Sequence, residues 1–165
     1  IMVKKILICS DTHGNNDSLK EAIAINKPNV VLHAGDFCCN LSVINEMVDY
    51  IVAGNNDTQG EEQLYFSLFG VNIFLTHGDK FISYLCKSKE NAQRIFDSII
   101  NKDLNLIVYG HTHIECVDYI GDVLAINPGS ISAPRNRSSR KSYAIITIKD
   151  NKIVEKTFEE IIRYL

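Results

Sequence analysis

Residues 3–14, with the sequence VKKILICSDTHG, decide the fold of this chain. The run from Val3 to Cys9 is short and apolar, which predicts a buried β-strand. Ser10 and Asp11 end that strand, and a Thr-His-Gly sequence follows at once. A buried strand that delivers a carboxylate and an imidazole into the next loop is typical of open α/β sheets, which bind ligands at the carboxyl ends of their strands.

The same arrangement recurs four more times along the chain. Short apolar runs, such as residues 30–33 and 50–53, end in Gly35-Asp36, Gly54-Asn55-Asn56-Asp57, Thr76-His77-Gly78 and Gly110-His111-Thr112-His113. Between the first three runs the apolar residues follow a helical spacing, for example Leu19, Ala22 and Ile23. This alternation of strand and helix predicts a parallel sheet with right-handed crossovers.

The second half of the chain predicts a second sheet. Residues 64–68 and 71–75 flank Phe69-Gly70, a pattern that indicates a hairpin, and further strands are expected at 106–109, 116–120, 123–126, 143–148 and 152–158. A long helix is predicted because five apolar residues recur at i, i+3, i+4, i+7 and i+8: Ala92, Ile95, Phe96, Ile99 and Ile100. We therefore expect one α/β domain over residues 1–165, with two sheets between helical layers.

Composition excludes several classes of protein. The 165 residues are 45% apolar and 22% charged, with a net charge of −3, so a broad basic nucleic-acid-binding surface is not expected. No apolar run approaches the ~20 residues of a membrane span, and no signal-peptide core is evident. The five cysteines are odd in number and lack a C-x-x-C spacing, which fits a reducing compartment, so a cytoplasmic location is expected.

The five polar motifs together offer seven metal ligands of mixed type: two aspartates, one asparagine and four histidines. Carboxylate and amide oxygens combined with imidazoles favour manganese, iron, zinc, cobalt or nickel over calcium. Seven ligands suit a site for two divalent metal ions in which one carboxylate bridges both ions. Each motif alone is weak evidence, whereas five in succession after five predicted strands are hard to explain by chance.

The order and the amino-acid sequences of these motifs resemble those of the calcineurin-like metallophosphoesterases, especially their small phosphodiesterase branch. The resemblance implies a four-layer α/β/β/α sandwich, with two mixed sheets flanked by helices, and hydrolysis of phosphodiester bonds by in-line attack of a metal-bridging hydroxide. It also implies two divalent ions, with manganese as the preferred assignment. The first ion would take Asp11, His13 and His113, the second would take Asn55, His77 and His111, and Asp36 would bridge them. Asp36, Asn55 and His111 would therefore be catalytic.

One position departs from the pattern of the wider superfamily. Many relatives carry histidine directly after the Gly-Asn pair, where it assists the leaving group, but this chain has Asn56 followed by Asp57. An asparagine cannot be a general acid, so that catalytic role is expected to fall to Asp57, to metal-bound water or to no group at all. Asn56 and Arg135 are expected to bind the substrate, the arginine as a bidentate donor to a phosphate.

Other polar residues have simpler explanations. His33 lies inside a predicted strand and is expected to be a buried, hydrogen-bonded residue. Cys38 and Cys39 are expected to be buried or partly buried thiols. Asp79 is expected to lie in a turn or to contact the metal ligands without binding a metal ion itself. Of these four residues, none is assigned to a metal ion.

The sequence leaves the class of function, the type of phosphoester and the oligomeric state open. A non-catalytic or vestigial scaffold, similar to a retromer subunit of this fold, is the alternative from another functional class, and a phosphomonoesterase is the alternative within the enzymes. The expected partner is a small phosphoester substrate, without a membrane or a strong nucleic-acid footprint. A homo-oligomer, through the second sheet or a hairpin, is compatible with the sequence.

Overall fold

The computed structural model describes residues 3–82 and 88–160, and two five-stranded sheets form the framework of this part of the chain. The strands and helices follow one another in the order β1 (Val3–Cys9), α1 (Asp17–Asn26), β2 (Val30–His33), α2 (Leu41–Ile44), β3 (Tyr50–Ile51), β4 (Gln63–Leu68), β5 (Val71–Thr76), α3 (Ser88–Ser98), β6 (Leu106–Val108), β7 (Glu115–Ile120), β8 (Val123–Pro128), β9 (Ser142–Lys149) and β10 (Lys152–Glu160).

Both sheets are mixed, as expected. The first sheet has the order β10-β9-β1-β2-β3, in which β1, β2 and β3 are parallel and β9 and β10 are antiparallel to their neighbours. The second has the order β4-β5-β6-β8-β7, with β5, β6 and β8 parallel and β4 and β7 antiparallel. The hairpin at Phe69-Gly70 joins β4 to β5, which confirms that prediction.

Successive side chains along each strand face opposite sides of the sheet, and this alternation separates the layers of the fold. In β1, Ile6 and Ile8 belong to the apolar cluster between the two sheets, whereas Leu7 and Cys9 pack on the other face with Leu19 of α1. Successive side chains of a strand point to opposite faces, so a strand that is apolar throughout is buried on both sides.

The second sheet repeats this arrangement. Leu106 and Val108 of β6 face the first sheet, and Ile107 packs with Ala92 and Ile95 of α3 on the outer face. The result is helix, sheet, sheet, helix, which confirms the predicted four-layer α/β/β/α sandwich. The parallel strands β1, β2, β3, β5 and β6 end on the same side of the two sheets, where their loops meet.

Two boundaries differ from the prediction. The third strand was expected at residues 50–53 but is only Tyr50–Ile51, because the N–H of Ala53 donates to the carbonyl of Glu61 and the chain leaves the sheet. The long helix ends at Ser98, so Ile100 no longer lies on its apolar face and is 99% exposed. The helical spacing of residue 100 was therefore misleading.

Among the described cysteines, Cys9 is buried as expected, whereas Cys38 is exposed, so the expectation of a buried or partly buried thiol is wrong for this residue. Cys9, Cys38 and Cys39 are free thiols. The thiol of Cys116 contacts the hydroxyl of Tyr109 at 3.0 Å, and Cys86 lies outside the described residues. No helix within residues 3–82 and 88–160 is long and apolar enough to cross a membrane.

Candidate metal centre

The seven predicted ligands lie in the loops that follow five parallel strands. Asp11 and His13 follow β1, and Asp36 follows β2. The remaining four continue the pattern after β3, β5 and β6: Asn55, His77, His111 and His113. Because the two sheets face each other, these strand ends converge, and side chains as far apart in the chain as Asp11 and His113 come into contact.

Five of the seven residues have a left-handed backbone, which residues other than glycine rarely adopt. Their φ angles are 56° for Asp11, 47° for His13, 58° for Asp36, 73° for His111 and 62° for His113. Such a conformation costs on the order of 1–2 kcal/mol per residue. It persists only where the surrounding structure imposes it, and such residues cluster at functional sites.

The first set of ligand atoms surrounds one oxygen of Asp11. The Nε2 atoms of His113 and His13 lie 3.2 Å and 3.6 Å from Asp11 Oδ1, and 3.2 Å from each other. A metal ion with ligand bonds of about 2.0–2.2 Å holds adjacent ligand atoms roughly 3–3.5 Å apart. The three atoms therefore already have nearly the spacing that one ion requires.

The second set is arranged around Asn55. Its Oδ1 lies 3.0 Å from His77 Nε2 and 3.2 Å from His111 Nδ1. Asp36 lies between the two sets, since its Oδ2 is 3.4 Å from His77 Nε2 and 3.7 Å from His13 Nε2. This is the placement that a bridging carboxylate needs.

Asp11 Oδ1 also lies within 3.9 Å of His77 Nε2, so it faces the second set as well as the first. The sequence did not anticipate this double proximity. Asp11 Oδ1 is buried, and the described residues provide no hydrogen-bond partner with acceptable geometry for this atom. An unsatisfied buried carboxylate oxygen is costly, and a cation placed among these atoms would remove that cost. The donor set and the unpartnered oxygen both fit a divalent ion.

Hydrogen bonds behind the imidazoles set their orientation. Nδ1–H of His77 donates to the carbonyl of Ala34 at 2.7 Å, and Nδ1–H of His113 donates to the carbonyl of Ala133 at 2.5 Å. A carbonyl can only accept, so Nδ1 carries the proton and Nε2 is directed to the centre. Nδ1 of His13 instead contacts the thiol of Cys38 at 3.4 Å.

The charges of the centre are strongly coupled. Burial alone would raise the pKa of Asp11, but the imidazoles of His113, His13 and His77 hold that pKa well below its usual range. Burial likewise opposes ionisation of Asp36, yet His77 and the neighbouring amide groups lower its pKa to about 2. Burial lowers the pKa of His77, and the carboxylates of Asp36 and Asp11 outweigh that effect and raise it to about 9. Two carboxylates thus retain a proton on an imidazole, at the place where a metal ion would compete with that proton.

Several residues hold the loops of the candidate ligands, a role that the sequence analysis did not assign to them. The hydroxyls of Ser130 and Ser132 both donate to the carbonyl of Asp11, at 2.7 Å and 3.0 Å, and the side chain of Ser10 donates to Asp11 Oδ2 at 2.6 Å. Asn127 donates to the carbonyl of Gly110 at 3.0 Å. The Asn-Pro-Gly-Ser sequence at 127–130 was a visible signal, whereas isolated serines carry none.

His33 matches its prediction. It is fully buried, and the N–H of Gly35 donates to its Nδ1 at 3.0 Å. Nε2–H therefore donates to Thr12 Oγ1 at 2.9 Å. Burial lowers the pKa of His33 to about 4, so the ring is neutral at physiological pH.

The three residues expected to act on the substrate are placed differently from one another. Asn56 is exposed beside the centre, but its backbone N–H and its side-chain amide both donate to Asp36, at 2.9 Å each. The carboxylate of Asp57 accepts hydrogen bonds from backbone N–H groups, which favours a supporting role over the expected proton donation. The side chain of Arg135 is exposed, and its backbone N–H donates to the carbonyl of His113 at 3.0 Å.

A cavity of about 300 Å³ adjoins the centre at Asn55. Glu62 and Asp79 contribute carboxylates to its wall, and its lysine, Lys80, pairs with Glu62 at 2.5 Å. Phe81 adds an aromatic surface. The cavity is large enough for part of a small organic substrate, and its walls disfavour additional negative charge.

The comparisons with known proteins agree with this geometry. The model of the calcineurin-like phosphoesterase superfamily domain matches residues 5–151. The chain is 32% identical over 154 residues to a probable metallophosphoesterase of Mycoplasma pneumoniae, covering 93% of this chain and 96% of that protein. It is 34% identical over 150 residues to the phosphodiesterase MJ0936 of Methanocaldococcus jannaschii, covering 76% of this chain and 82% of that protein.

Solved structures share the fold. A predicted phosphoesterase of Streptococcus pneumoniae superposes with a TM-score of 0.76 at 24% identity, over 98% of this chain and 99% of that one. Vacuolar protein sorting 29 of Cryptosporidium parvum superposes with a TM-score of 0.71 at 16% identity, over 99% and 100% of the two chains. From the family match and the Mycoplasma relative it follows that this chain belongs to the calcineurin-like phosphoesterase superfamily.

Proposed function

We propose that this protein is a metal-dependent phosphodiesterase in which two divalent ions supply a hydroxide for in-line attack on phosphorus and neutralise the charge of the phosphate. The observation that carries the proposal is the buried, unpartnered Oδ1 of Asp11, which faces three imidazole Nε2 atoms at 3.2–3.9 Å. Asp11 Oδ1 has no hydrogen bond of good geometry and depends on the charge of the imidazoles around it, and a divalent ion bound among these atoms would supply positive charge directly.

The residues of the chain divide into two ligand sets in this proposal. The first ion is assigned to Asp11, His13 and His113, and the second to three residues in contact through one amide oxygen, namely Asn55, His77 and His111. Asp36 lies between the sets and is assigned to both ions. The mixture of oxygen and imidazole ligands favours manganese, with nickel, cobalt, iron and zinc as alternatives.

The cavity beside Asn55 supports a diester as the substrate. A phosphodiester carries one negative charge near pH 7, whereas a monoester carries close to two. Lys80 offsets the charge of Glu62, and the carboxylates of Asp57 and Asp79 leave the cavity wall with a net negative charge that repels the additional charge of a monoester. The similarity to a protein named as a phosphodiesterase points to the same substrate class.

A protein-interaction scaffold remains the alternative. The likeness to vacuolar protein sorting 29 is in the fold, at 16% identity. The complete set of candidate ligands and the strained backbone at five of them favour the enzyme, because strained backbone clusters at functional sites.

Hydrolysis of bis-p-nitrophenyl phosphate tests the proposal. Metal-stripped protein is assayed with and without manganese, alongside the Asp36→Asn variant. Turnover that depends on the metal and is abolished by the substitution supports the two-metal phosphodiesterase. If folded protein shows no turnover with manganese, nickel, cobalt, iron or zinc, the scaffold becomes the better explanation. A strong preference for p-nitrophenyl phosphate would instead identify a monoesterase.

A further inference from the structure

Asp57 stands two residues after the candidate ligand Asn55, and its carboxylate lies among backbone N–H groups of the neighbouring loop. We infer that Asp57 is a positioning residue, which holds the loop after β3 against the loop after β2 and thereby sets the distance between the two metal positions. This inference rests on the proposed function. It replaces the role of proton donor that the sequence had suggested for Asp57.

Four backbone groups donate to this one carboxylate. Oδ2 accepts from Asp36 at 2.7 Å, from Gly54 at 2.8 Å and from Phe37 at 3.3 Å. Oδ1 accepts from Cys38 at 2.8 Å. Hydrogen bonds from N–H groups to an ionised carboxylate are shorter and stronger than those between neutral groups. Three of the donors belong to the loop that carries Asp36, and one belongs to the loop that carries Asn55.

The link through Asp57 matters because β2 and β3, the strands that precede the two loops, are joined to each other at few positions. β3 is two residues long and pairs with β2 at two positions only. Within the described chain, no backbone-to-backbone hydrogen bond joins residues 34–38 to residues 54–57. By contrast, the loops after β1 and β2 are joined by three such bonds, at 2.8–2.9 Å. The carboxylate of Asp57 therefore substitutes for backbone pairing where the sheet ends.

A second contact between the loops cannot serve the same purpose once metal ions bind. Asn56 donates to both carboxylate oxygens of Asp36, and at least one of these oxygens is needed by the ions. The bonds to Asp57 involve no candidate ligand atom, so they are compatible with an occupied centre. Cys38 extends the same support to a third loop, because its thiol contacts Nδ1 of His13 at 3.4 Å.

A general acid has different requirements. It must carry a proton and reach the leaving oxygen, within about 2.6–3.2 Å or through one water. Protonation of Asp57 would turn an acceptor oxygen into a donor, which would oppose one of four N–H groups. The surroundings of Asp57 therefore suit a hydrogen-bond acceptor and not a proton donor.

The test compares Asp57→Asn with Asp49→Asn. The asparagine at 57 keeps the shape of the side chain, but its NH₂ group faces N–H donors. Asp49 is a matched control, because its carboxylate also accepts a backbone N–H, that of Val31 at 2.8 Å, at the opposite end of β2. Manganese binding is titrated by electron paramagnetic resonance, which distinguishes a single ion from a magnetically coupled pair. Hydrolysis is measured over pH with methyl aryl phosphates that have good and poor leaving groups.

We expect Asp57→Asn to weaken binding of the manganese pair by about 10–100-fold, the usual effect of losing a group that orients ligands. At saturating manganese, the shape of the pH profile is unchanged, and both aryl esters slow by the same factor. Asp49→Asn leaves manganese binding within about twofold of the wild type. Wild-type manganese affinity in Asp57→Asn overturns the inference. So does a selective loss for the poor leaving group together with a lost limb of the pH profile, since that result identifies an acid.

Amide hydrogen exchange on the metal-free protein separates this inference from the proposed function. The N–H groups of residues 36, 37, 38 and 54 should lose protection in Asp57→Asn and keep it in Asp49→Asn. If the wild type binds no metal pair, the proposed function fails. Unchanged protection of these four groups would then also refute the structural link made by Asp57.

Discussion

The buried imidazole of His33 should make the stability of this protein fall on mild acidification. The ring is fully buried, and burial lowers its pKa from 6.5 to about 4. The carboxylates of Asp11 and Asp36 oppose this effect, and the imidazoles of His77 and His13 reinforce it. Above the unfolded pKa the ring is neutral in both states and contributes no pH dependence. Below the unfolded pKa, the ring is protonated in the unfolded state but stays neutral in the folded state. Stability is therefore lost as the pH falls from about 6.5 to about 4.

The pKa values of His33 in the unfolded and folded states, 6.5 and about 4, give the size of this loss of stability. Between pH 7.5 and pH 5, proton uptake by the unfolded state reduces the free energy of unfolding by about 2 kcal/mol. Urea unfolding of the metal-free protein at both pH values measures the total change, to which other groups also contribute. The contribution of His33 is the difference between the wild type and His33→Gln, whose amide offers a donor and an acceptor but does not titrate in this range.

A control variant separates this effect from general destabilisation. Leu32→Ala, on the same strand, should lower the free energy of unfolding by about 2–5 kcal/mol at both pH values and keep the wild-type pH dependence. His33→Gln should lose about 2 kcal/mol of that dependence. If His33→Gln and the wild type lose the same free energy between pH 7.5 and pH 5, the ring does not stay neutral in the folded protein, and the reasoning is wrong.

Three further predictions concern the centre itself. Because the pKa of His77 is raised to about 9, manganese binding at pH 7.5 should release a proton and tighten as the pH rises; calorimetry in two buffers of different ionisation enthalpy should give different heats, and equal heats would count against His77 as a ligand. Replacing Glu62 and Asp79 by their amides should narrow the preference of kcat/KM for a diester over a monoester by a few-fold, since each carboxylate contributes about 0.5 kcal/mol of repulsion across water; an unchanged ratio would remove the cavity from the argument for a diester. In Gly54→Ala, the new β-carbon would overlap the carboxylate of Asp36, which should cost at least about 2 kcal/mol of stability and weaken metal binding. Gly121→Ala has open space around the new β-carbon, so it should cost about 1 kcal/mol and leave metal binding intact. Similar metal affinities in the two variants would contradict this account.

Local pattern was sufficient for the elements that place the ligands. The apolar run of β1 and its alternation between Ile6 and Leu7 predicted a strand buried on both faces, and the structure has it so. Period-two alternation is a property of neighbouring residues, so it is visible without knowledge of the fold. The end of α3 was less visible, because Ile100 continues the helical spacing after the helix has ended and is almost fully exposed.

The roles of supporting residues were beyond local pattern. Asp57 lies in a motif that suggested chemistry, yet its four partners are N–H groups, three of them about 20 residues away in the chain. Cys38 was expected to be at least partly buried and is exposed beside His13. Neither outcome follows from residue type, since a carboxylate or a thiol takes whichever partners the packing places around it.

The sequence by itself determined the α/β class, the strands that end in polar loops and the chemical nature of the ligand set, because each depends on residues adjacent in the chain. Only the tertiary structure decided that Asp11 Oδ1 is buried, without a hydrogen bond of good geometry, between two sets of candidate ligands. It also decided that five candidate ligands adopt a left-handed backbone. These features arise when two sheets pack face to face and bring loops from distant parts of the chain to one edge. Long-range packing sets their distances, and no local spacing of residues encodes them.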